Sequence, residues 1–296
     1  MTLRELLTQA RRPAIVVGNG VNLYGGSKNG NSWSALLADL RKKYCGGLSE
    51  ESAEAMSLPE LYDALTIGAG ASVDLQREFV GAMAEWAPTD AHRQIATWAA
   101  KNEAPILTTN FDGMFERSFP ACKLQILTDR DVGFTRFYPW NVVSAPTTIS
   151  DPLKGFGIWH LHGMERYPSS IRLGLTHYMG CAQRARVWLM HGSRALLSNK
   201  RTDDWFGSKT WLHIFFSLPL LFVGLGLERD EVFVRWLLIE RERYFQRFGE
   251  CRQPTYFVDV LESRNSQAVA FVRALGGTVI EVATFDELYA GGCWQT

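Results

Sequence analysis

Short apolar runs alternate with longer amphipathic stretches along most of the chain. The apolar runs are continuously apolar over much of their length and rich in Val, Ile and aromatic residues, which is typical of strands buried on both faces. Because stretches of helical period separate them, the pattern predicts an α/β fold with a parallel sheet covered by helices on both faces. The six predicted strands are at residues 14–18, 104–110, 157–163, 220–224, 255–260 and 277–282.

The helical stretches are placed unevenly along the chain. Residues from 31 to about 100 contain several of them and no convincing strand, which is too long for one crossover and predicts a helical insertion within a single domain covering 1–296. Ser32 is a candidate N-cap for the first helix of this insertion. The predicted helices lie within residues 2–10, 32–44, 58–67, 74–86, 90–102, 178–198, 230–248 and 266–277.

One apolar run, Trp211 to Leu227, is nearly long enough to suggest a membrane span. It has 17 residues, at the short limit for a span, and contains His213, Ser217 and Pro219. We interpret its first half as the end of a buried helix and its second half as a strand, with Pro219 between them. We therefore expect no membrane association.

Charge and cysteine content exclude several classes of protein. The 31 basic residues balance the 31 acidic ones, so bulk charge gives no reason to expect nucleic-acid binding, and the arginines from Arg241 to Arg247 are expected on a solvated helix face. The five cysteines are scattered, which argues against a disulfide framework or a zinc knuckle. The N-terminus lacks the apolar core of a signal peptide, so we expect a cytoplasmic protein.

The first predicted strand ends in a glycine loop, Gly18-Asn19-Gly20-Val21-Asn22. Glycines at the carboxyl end of a parallel strand let backbone amides approach a phosphate, although a plain strand-to-helix turn has the same pattern. Leu23 replaces the third glycine of the dehydrogenase fingerprint, and no acid ends a second strand about 20 residues later. The loop therefore disfavours an ordinary hydride-transfer enzyme.

Polar residues also follow the later predicted strands. Thr109, Asn110 and Asp112 follow the second strand, within "TTNFD", and the third strand ends "HLHG". The fourth ends "FVGLGLERDEVF", with Gly224, Gly226 and, at a predicted helix start, Asp230; its first nine residues, "FVGLGLERD", form the last of four polar or glycine-rich blocks.

These four blocks, in this order, resemble the sirtuin-like superfamily, and the resemblance spans roughly residues 12 to 285. Sirtuin-like deacylases carry a zinc ribbon of two CxxC pairs between the last two blocks, whereas this chain has only Cys181 there. The chain is therefore more similar to the zinc-free bacterial branch, whose members hydrolyse NAD as antiphage effectors. The resemblance implies a Rossmann-like fold, NAD as substrate and cleavage of the nicotinamide–ribose bond.

The resemblance also implies roles for individual residues. Asn110 and His162 would be the catalytic pair, and Asp112 would contact the nicotinamide end. The expected NAD-binding residues are Gly18, Asn19 and Gly20 at the phosphates and Gly224 and Gly226 near the adenosine. Asn22 and Thr109 are also expected to bind NAD. An amide can both donate to and accept from a ribose hydroxyl and a water, and an imidazole can take a proton near pH 7.

Other interpretations of the same residues stay open. Asn110 and Asp112 are also common turn and cap residues. His160 and His162 share one side of a strand, so they could bind a metal, but no third ligand is evident and we expect none. Taken alone, His160 is expected to be a packing histidine.

We therefore expect an NAD glycohydrolase that gives nicotinamide and linear or cyclic ADP-ribose. The alternatives are an NAD-dependent deacylase or ADP-ribosyltransferase, and a non-catalytic module that senses NAD or ADP-ribose. Because the catalytic fold and its insertion use the whole sequence, we expect a partner protein, a nucleotide signal or oligomerisation to control the activity.

Overall fold

The computed structural model describes residues 1–9, 12–25, 31–127, 138–198 and 204–295, which form a mixed α/β fold around one eight-stranded sheet. The strand order across the sheet is β3-β4-β5-β2-β1-β6-β7-β8. The strands are β1 Ala14–Val17, β2 Ile106–Thr108, β3 Lys123–Ile126, β4 Val142–Ala145, β5 Ile158–His160, β6 Leu220–Val223, β7 Thr255–Val260 and β8 Thr278–Val282.

The predicted parallel sheet is confirmed. All six predicted strands are present, and they form one continuous parallel block from β5 to β8. The sequence pattern missed β3 and β4, which pair with each other in antiparallel fashion, and β4 also pairs antiparallel with β5. Both are four residues long, and β3 is largely exposed or half-buried at the sheet edge, so neither gives a clear apolar run.

Helices cover both faces of the sheet, as predicted. Alternate strand residues point to opposite faces: Val16 and Leu107 contribute to one buried apolar cluster, whereas Ile15 and Ile106 contribute to the other. The helices are α1 Leu3–Leu7, α2 Gly20–Leu23, α3 Trp33–Tyr44, α4 Glu50–Glu54, α5 Leu58–Ala69, α6 Leu75–Ala82, α7 Asp90–Lys101, α8 Met114–Ser118, α9 Leu175–Met190, α10 Trp211–Ser217, α11 Val232–Arg247, α12 Ser266–Ala274 and α13 Phe285–Tyr289.

The predicted helices differ from the observed ones mainly at their ends. Ser32 caps α3 as expected, by accepting a hydrogen bond from the Ala35 amide. The predicted helix at 178–198 ends early, because Gly192 follows α9 with a φ of +89°. Residue 10, at the end of the first predicted helix, lies outside the described residues.

The long apolar run divides as predicted into α10 and β6, with Pro219 between them. No helix within the described ranges is long and apolar enough to cross a membrane.

Helices α3 to α6 form a separate apolar cluster over the carboxyl ends of β2 and β5. Phe111, which directly follows Asn110, belongs to this cluster. Its ring lies 3.9 Å from that of Trp33 and 5.8 Å from that of Phe79, centroid to centroid. Phe111 therefore anchors the helical region beside the polar residues that end β2.

The expectation that Arg241 lies on a solvated helix face is wrong. Its side chain is almost fully buried and donates hydrogen bonds to the carbonyl oxygens of Phe215, Leu218, Gln253 and Pro254. Carbonyl oxygens at a helix end are suitable partners for a cation. The helical period of α11 did not reveal this role, because the acceptors belong to distant segments.

The glycines of the first and fourth strand ends bring two loops into close contact. The Gly18 amide donates to Val223 and the Gly20 amide to Gly224, at 3.1 and 2.8 Å. A Cβ on Gly18 would lie 2.6 Å from the Gly224 carbonyl oxygen. These glycines are thus required for packing of one backbone against another.

We predict that Gly18→Ala lowers the free energy of unfolding by about 1–3 kcal/mol, because backbone atoms must move to admit the methyl group. Gly226→Ala is the matched control, since its Cβ would meet only the exposed Glu228 side chain, at 3.3 Å. Urea unfolding of both variants tests this. Equal stability of Gly18→Ala and the wild type would contradict the packing role.

Candidate active site

A small cavity lies at the carboxyl ends of four neighbouring parallel strands. Loops after β1, β2, β5 and β6 each contribute polar side chains to it, at the position where the chain path reverses across the sheet. Open parallel sheets bind ligands at this kind of crevice. The cavity has a volume of about 80 Å³, and its polar lining residues are Asn19, Thr109, Asn110, His162, Asp230 and Glu231.

The other side of the cavity is apolar and comes largely from the helical region. Trp33 and Leu37 of α3, and Leu58 and Pro59 of α5, line it together with Leu173 and Tyr178. The Leu58 amide donates a hydrogen bond of 3.1 Å to a carboxylate oxygen of Asp230. This bond ties the start of α5 to the loop after β6.

The side chain of Asn110 is fixed by its amide group. Its Nδ2 donates to the Gly18 carbonyl oxygen at 3.3 Å and to Asn22 Oδ1 at 3.2 Å. Its Oδ1 is buried and accepts no hydrogen bond from the described residues. A buried acceptor without a partner costs free energy, so this oxygen is suited to accept a hydrogen bond from a ligand.

Asn22 is the centre of the network behind Asn110. Besides Asn110, its Oδ1 accepts a hydrogen bond from His92 Nε2 at 2.9 Å, while its Nδ2 donates to Asp112 at 2.8 Å. The Thr89 amide donates to His92 Nδ1, so the second ring nitrogen carries the proton. Burial lowers the pKa of His92 to about 4, which keeps the ring neutral.

His162 approaches the cavity from the end of β5. Its carbonyl oxygen accepts a hydrogen bond from the Arg172 amide, and Gly163, with a φ of +99°, turns the chain after it. Its Nε2 lies 3.4 Å from a carboxylate oxygen of Glu231. Its Nδ1 is buried and has no partner within the described part of the chain.

The cavity has a negative electrostatic character. Asp230 and Glu231 both line it, and its described lining contains no lysine or arginine. Carboxylates beside an enclosed space favour a cation there and disfavour a phosphate. The cavity is thus suited to a positively charged group.

His160 lies behind Asn110 and faces a different cavity, of about 600 Å³. Its Nδ1 donates to the Asn110 carbonyl oxygen at 2.8 Å, and its Nε2 lies 2.9 Å from Glu116. Burial alone would lower the pKa of His160, but the Glu116 carboxylate and the Asn110 carbonyl outweigh burial and raise it to about 8. The two histidines of "HLHG", His160 and His162, therefore have different surroundings. The described residues contain no group of three or more candidate metal ligands.

Asp112 occupies a different place from the one that the resemblance implies. It does not line the cavity, and its two oxygens accept hydrogen bonds from Asn22 Nδ2 and the Met114 amide. Burial raises the pKa of Asp112, although both hydrogen bonds oppose this. Asp112 thus supports Asn110 through Asn22 instead of facing a ligand.

The expected NAD-binding residues are only partly brought together. Asn19 and Thr109 line the cavity, and Asn19 Oδ1 is buried without a partner among the described residues. Asn22 lies behind Asn110, and the amides of Gly18 and Gly20 are already bonded to the loop after β6. That loop holds the remaining two expected residues, Gly224 and Gly226, neither of which lines the cavity.

Sequence reasoning did not assign a site role to His92, Trp33 or Glu231. His92 lies on the buried face of α7, where a helical pattern gives no sign of a distant partner. Glu231 directly follows the last conspicuous block and resembles an ordinary residue at a helix start. Tyr178 also lines the cavity.

The two supporting histidines predict a stability maximum near pH 6.5. His92 has a lowered pKa, so its contribution is lost as pH falls from about 6.5 towards about 4. His160 has a raised pKa, so its contribution is present below about 6.5 and is lost as pH rises through about 8. The effect is on the order of 3 kcal/mol for His92 and on the order of 2 kcal/mol for His160.

Urea unfolding between pH 5 and 9 tests this, with His92→Gln and His160→Gln as a matched pair. His92→Gln should flatten the acidic limb and His160→Gln the alkaline limb. Parallel stability profiles for the two variants would contradict the assignment.

Comparison of the chain with models of known protein families found no match, and comparison with curated proteins found none either. Its function therefore has to be argued from the fold, the cavity and the chemistry of the residues that line it.

Proposed function

We propose that this protein hydrolyses NAD at the nicotinamide–ribose bond. The observation that carries the proposal is that Asn110 and His162 line one electronegative cavity, each with a buried polar atom that has no partner among the described residues. Nicotinamide in NAD is a pyridinium cation, and the ribose becomes cationic as the bond breaks. A cavity with two carboxylates suits this end of the molecule.

The size of the cavity limits which part of NAD enters it. Ligand pockets are usually about 300–1,000 Å³, whereas this cavity has about 80 Å³. It suits the reacting end together with one water, and the anionic phosphates would lie outside the carboxylates. The same small volume favours transfer to water over transfer to a peptide acceptor.

The proposed reaction needs no acid to assist the leaving group. The electrons of the broken C–N bond return to the pyridinium nitrogen, so nicotinamide leaves as a neutral molecule. A water oxygen forms the new bond to the ribose carbon, and its proton passes to His162 and then to solvent. Asn110 Oδ1 accepts a hydrogen bond from a ribose hydroxyl or from the attacking water.

Two single substitutions test this proposal. His162→Ala should lower the rate of nicotinamide release about 100- to 10,000-fold, because a general base is lost. Asn110→Ala should lower it about 100- to 1,000-fold, because a fixed polar group that orients the reactants is lost. Chromatography of nicotinamide and ADP-ribose provides the measurement.

His191→Ala is the matched control, since His191 is exposed at the end of α9 and does not line the cavity. It should retain the wild-type rate. Nicotinamide release that survives both site substitutions would refute the proposal, and release only when an acceptor peptide is present would favour a transferase.

We further propose that the helical region controls access to the site, in keeping with NAD depletion in antiphage defence under control of a trigger. The cavity is smaller than a usual ligand pocket, and α3 and α5 form much of its wall. The hydrogen bond between the Leu58 amide and Asp230 holds α5 against the loop after β6. A partner, a nucleotide or oligomerisation would act by releasing this contact.

Leu58→Pro tests the access proposal because proline lacks the donating N–H and is tolerated at the first position of a helix. Leu58→Ala is its matched control, since it removes the same side chain but retains the N–H. Loss of about 1 kcal/mol of hydrogen bonding should raise basal nicotinamide release about fivefold over the control. Equal rates for the two variants would contradict a closing role for the bond.

A further inference from the structure

Glu231 is the carboxylate partner of His162. Its side chain is 27% exposed and lies at the start of α11, where its backbone N–H donates to the Glu228 carbonyl oxygen at 3.1 Å. One carboxylate oxygen lies 3.4 Å from His162 Nε2. Neither the four blocks that resemble the sirtuin-like superfamily nor the expected catalytic set includes this residue.

The hydrogen-bonding environment of the ring favours one tautomer of neutral His162. A proton on Nε2 faces an acceptor, Glu231, and leaves a lone pair on Nδ1. A proton on Nδ1 would be buried without an acceptor among the described residues, and the Nε2 lone pair would face a carboxylate. The tautomer with its proton on Nε2 therefore forms the better hydrogen bond and leaves the Nδ1 lone pair as the basic atom.

We propose that Glu231 is a positioning residue for His162: it accepts the Nε2 hydrogen and stabilises the imidazolium that forms when Nδ1 takes a proton. A carboxylate that orients a histidine base in serine hydrolases acts by the same logic. The catalytic part of this inference rests on the proposed NAD hydrolysis. The pairing of the Glu231 and His162 side chains does not depend on the proposed function.

The other groups around His162 do not duplicate this role. Asp230 also lines the cavity, but its described hydrogen bond comes from the Leu58 amide. The Tyr178 ring lies 5.1 Å away, and burial together with Glu231 and Asp230 raises the pKa of its hydroxyl well above 10, so it stays neutral. The Phe233 ring, at 6.3 Å, is apolar, and the charged ring of His160 is paired with Glu116.

NMR of the imidazole signals tests the pairing without substrate. Glu231→Gln keeps the size and an acceptor oxygen but removes the charge, which weakens the hydrogen bond, so the fraction of neutral His162 protonated on Nε2 should fall. Glu228→Gln is the matched control, because Glu228 is exposed in the same loop and does not line the cavity. His162→Gln assigns the signal, and the ring ¹⁵N signals should show the proton of the neutral form on Nε2.

The inference is overturned if Glu231→Gln changes the tautomer signals of His162 no more than Glu228→Gln does, or if the neutral ring of the wild type is protonated on Nδ1. Kinetics then separate this inference from the proposed function. Glu231→Gln should lower kcat for nicotinamide release about tenfold, with little change in KM and with Glu228→Gln unaffected. If the tautomer change appears but neither the wild type nor Leu58→Pro, which lacks the closing hydrogen bond, releases nicotinamide, the pairing stands and NAD hydrolysis is refuted.

Discussion

The hydrogen bonds to the amide group of Asn110 determine how the rest of the site is arranged. Both hydrogens of Nδ2 are directed to fixed acceptors, the Gly18 carbonyl oxygen and Asn22 Oδ1, so Oδ1 is the one polar atom of the side chain without a described partner. The Asn110 carbonyl oxygen is held in turn by His160. An asparagine restrained in this way can orient a ligand without first losing conformational entropy.

The helices beside the end of β2 provide these restraints. His92 on α7 holds Asn22, while Glu116 on α8 holds His160, so two neighbouring helices act on the same short turn. Phe111, between Asn110 and Asp112, anchors the covering helices in their own apolar cluster. The geometry of the candidate site and its coverage by helices are therefore coupled through three consecutive residues.

Much of the sheet could be predicted from the sequence because buried parallel strands require continuous apolar runs. The same rule brings polar residues after β1, β2 and β5 to one edge, so the meeting of Asn19, Asn110 and His162 was predictable in outline. What could not be predicted was the partner of each side chain. The bond between Asn22 and Asp112 joins residues 90 positions apart, and nothing in local sequence distinguishes a supporting carboxylate from one that faces a ligand.

The glycine loop shows a similar limit. Its two glycines predict that the backbone lies very close to a neighbouring group. In the structure, that group is the backbone of the loop after β6. The short strands β3 and β4 were missed because neither gives a clear apolar run. The buried Arg241 was missed because its acceptors lie outside its own helix. Neither the type of a residue nor the periodicity of the sequence around it identifies a partner that lies in another segment.

The central claim is that the cavity between Asn110 and His162 receives the nicotinamide–ribose end of NAD. A crystal structure of the His162→Ala variant with NAD tests this claim most directly. The account predicts the nicotinamide–ribose bond in this cavity, Asn110 Oδ1 within hydrogen-bond distance of the ribose or its water, and the phosphates outside the carboxylates of Asp230 and Glu231. NAD bound elsewhere, for example in the larger cavity beside His160, or phosphates placed against those carboxylates, would contradict it.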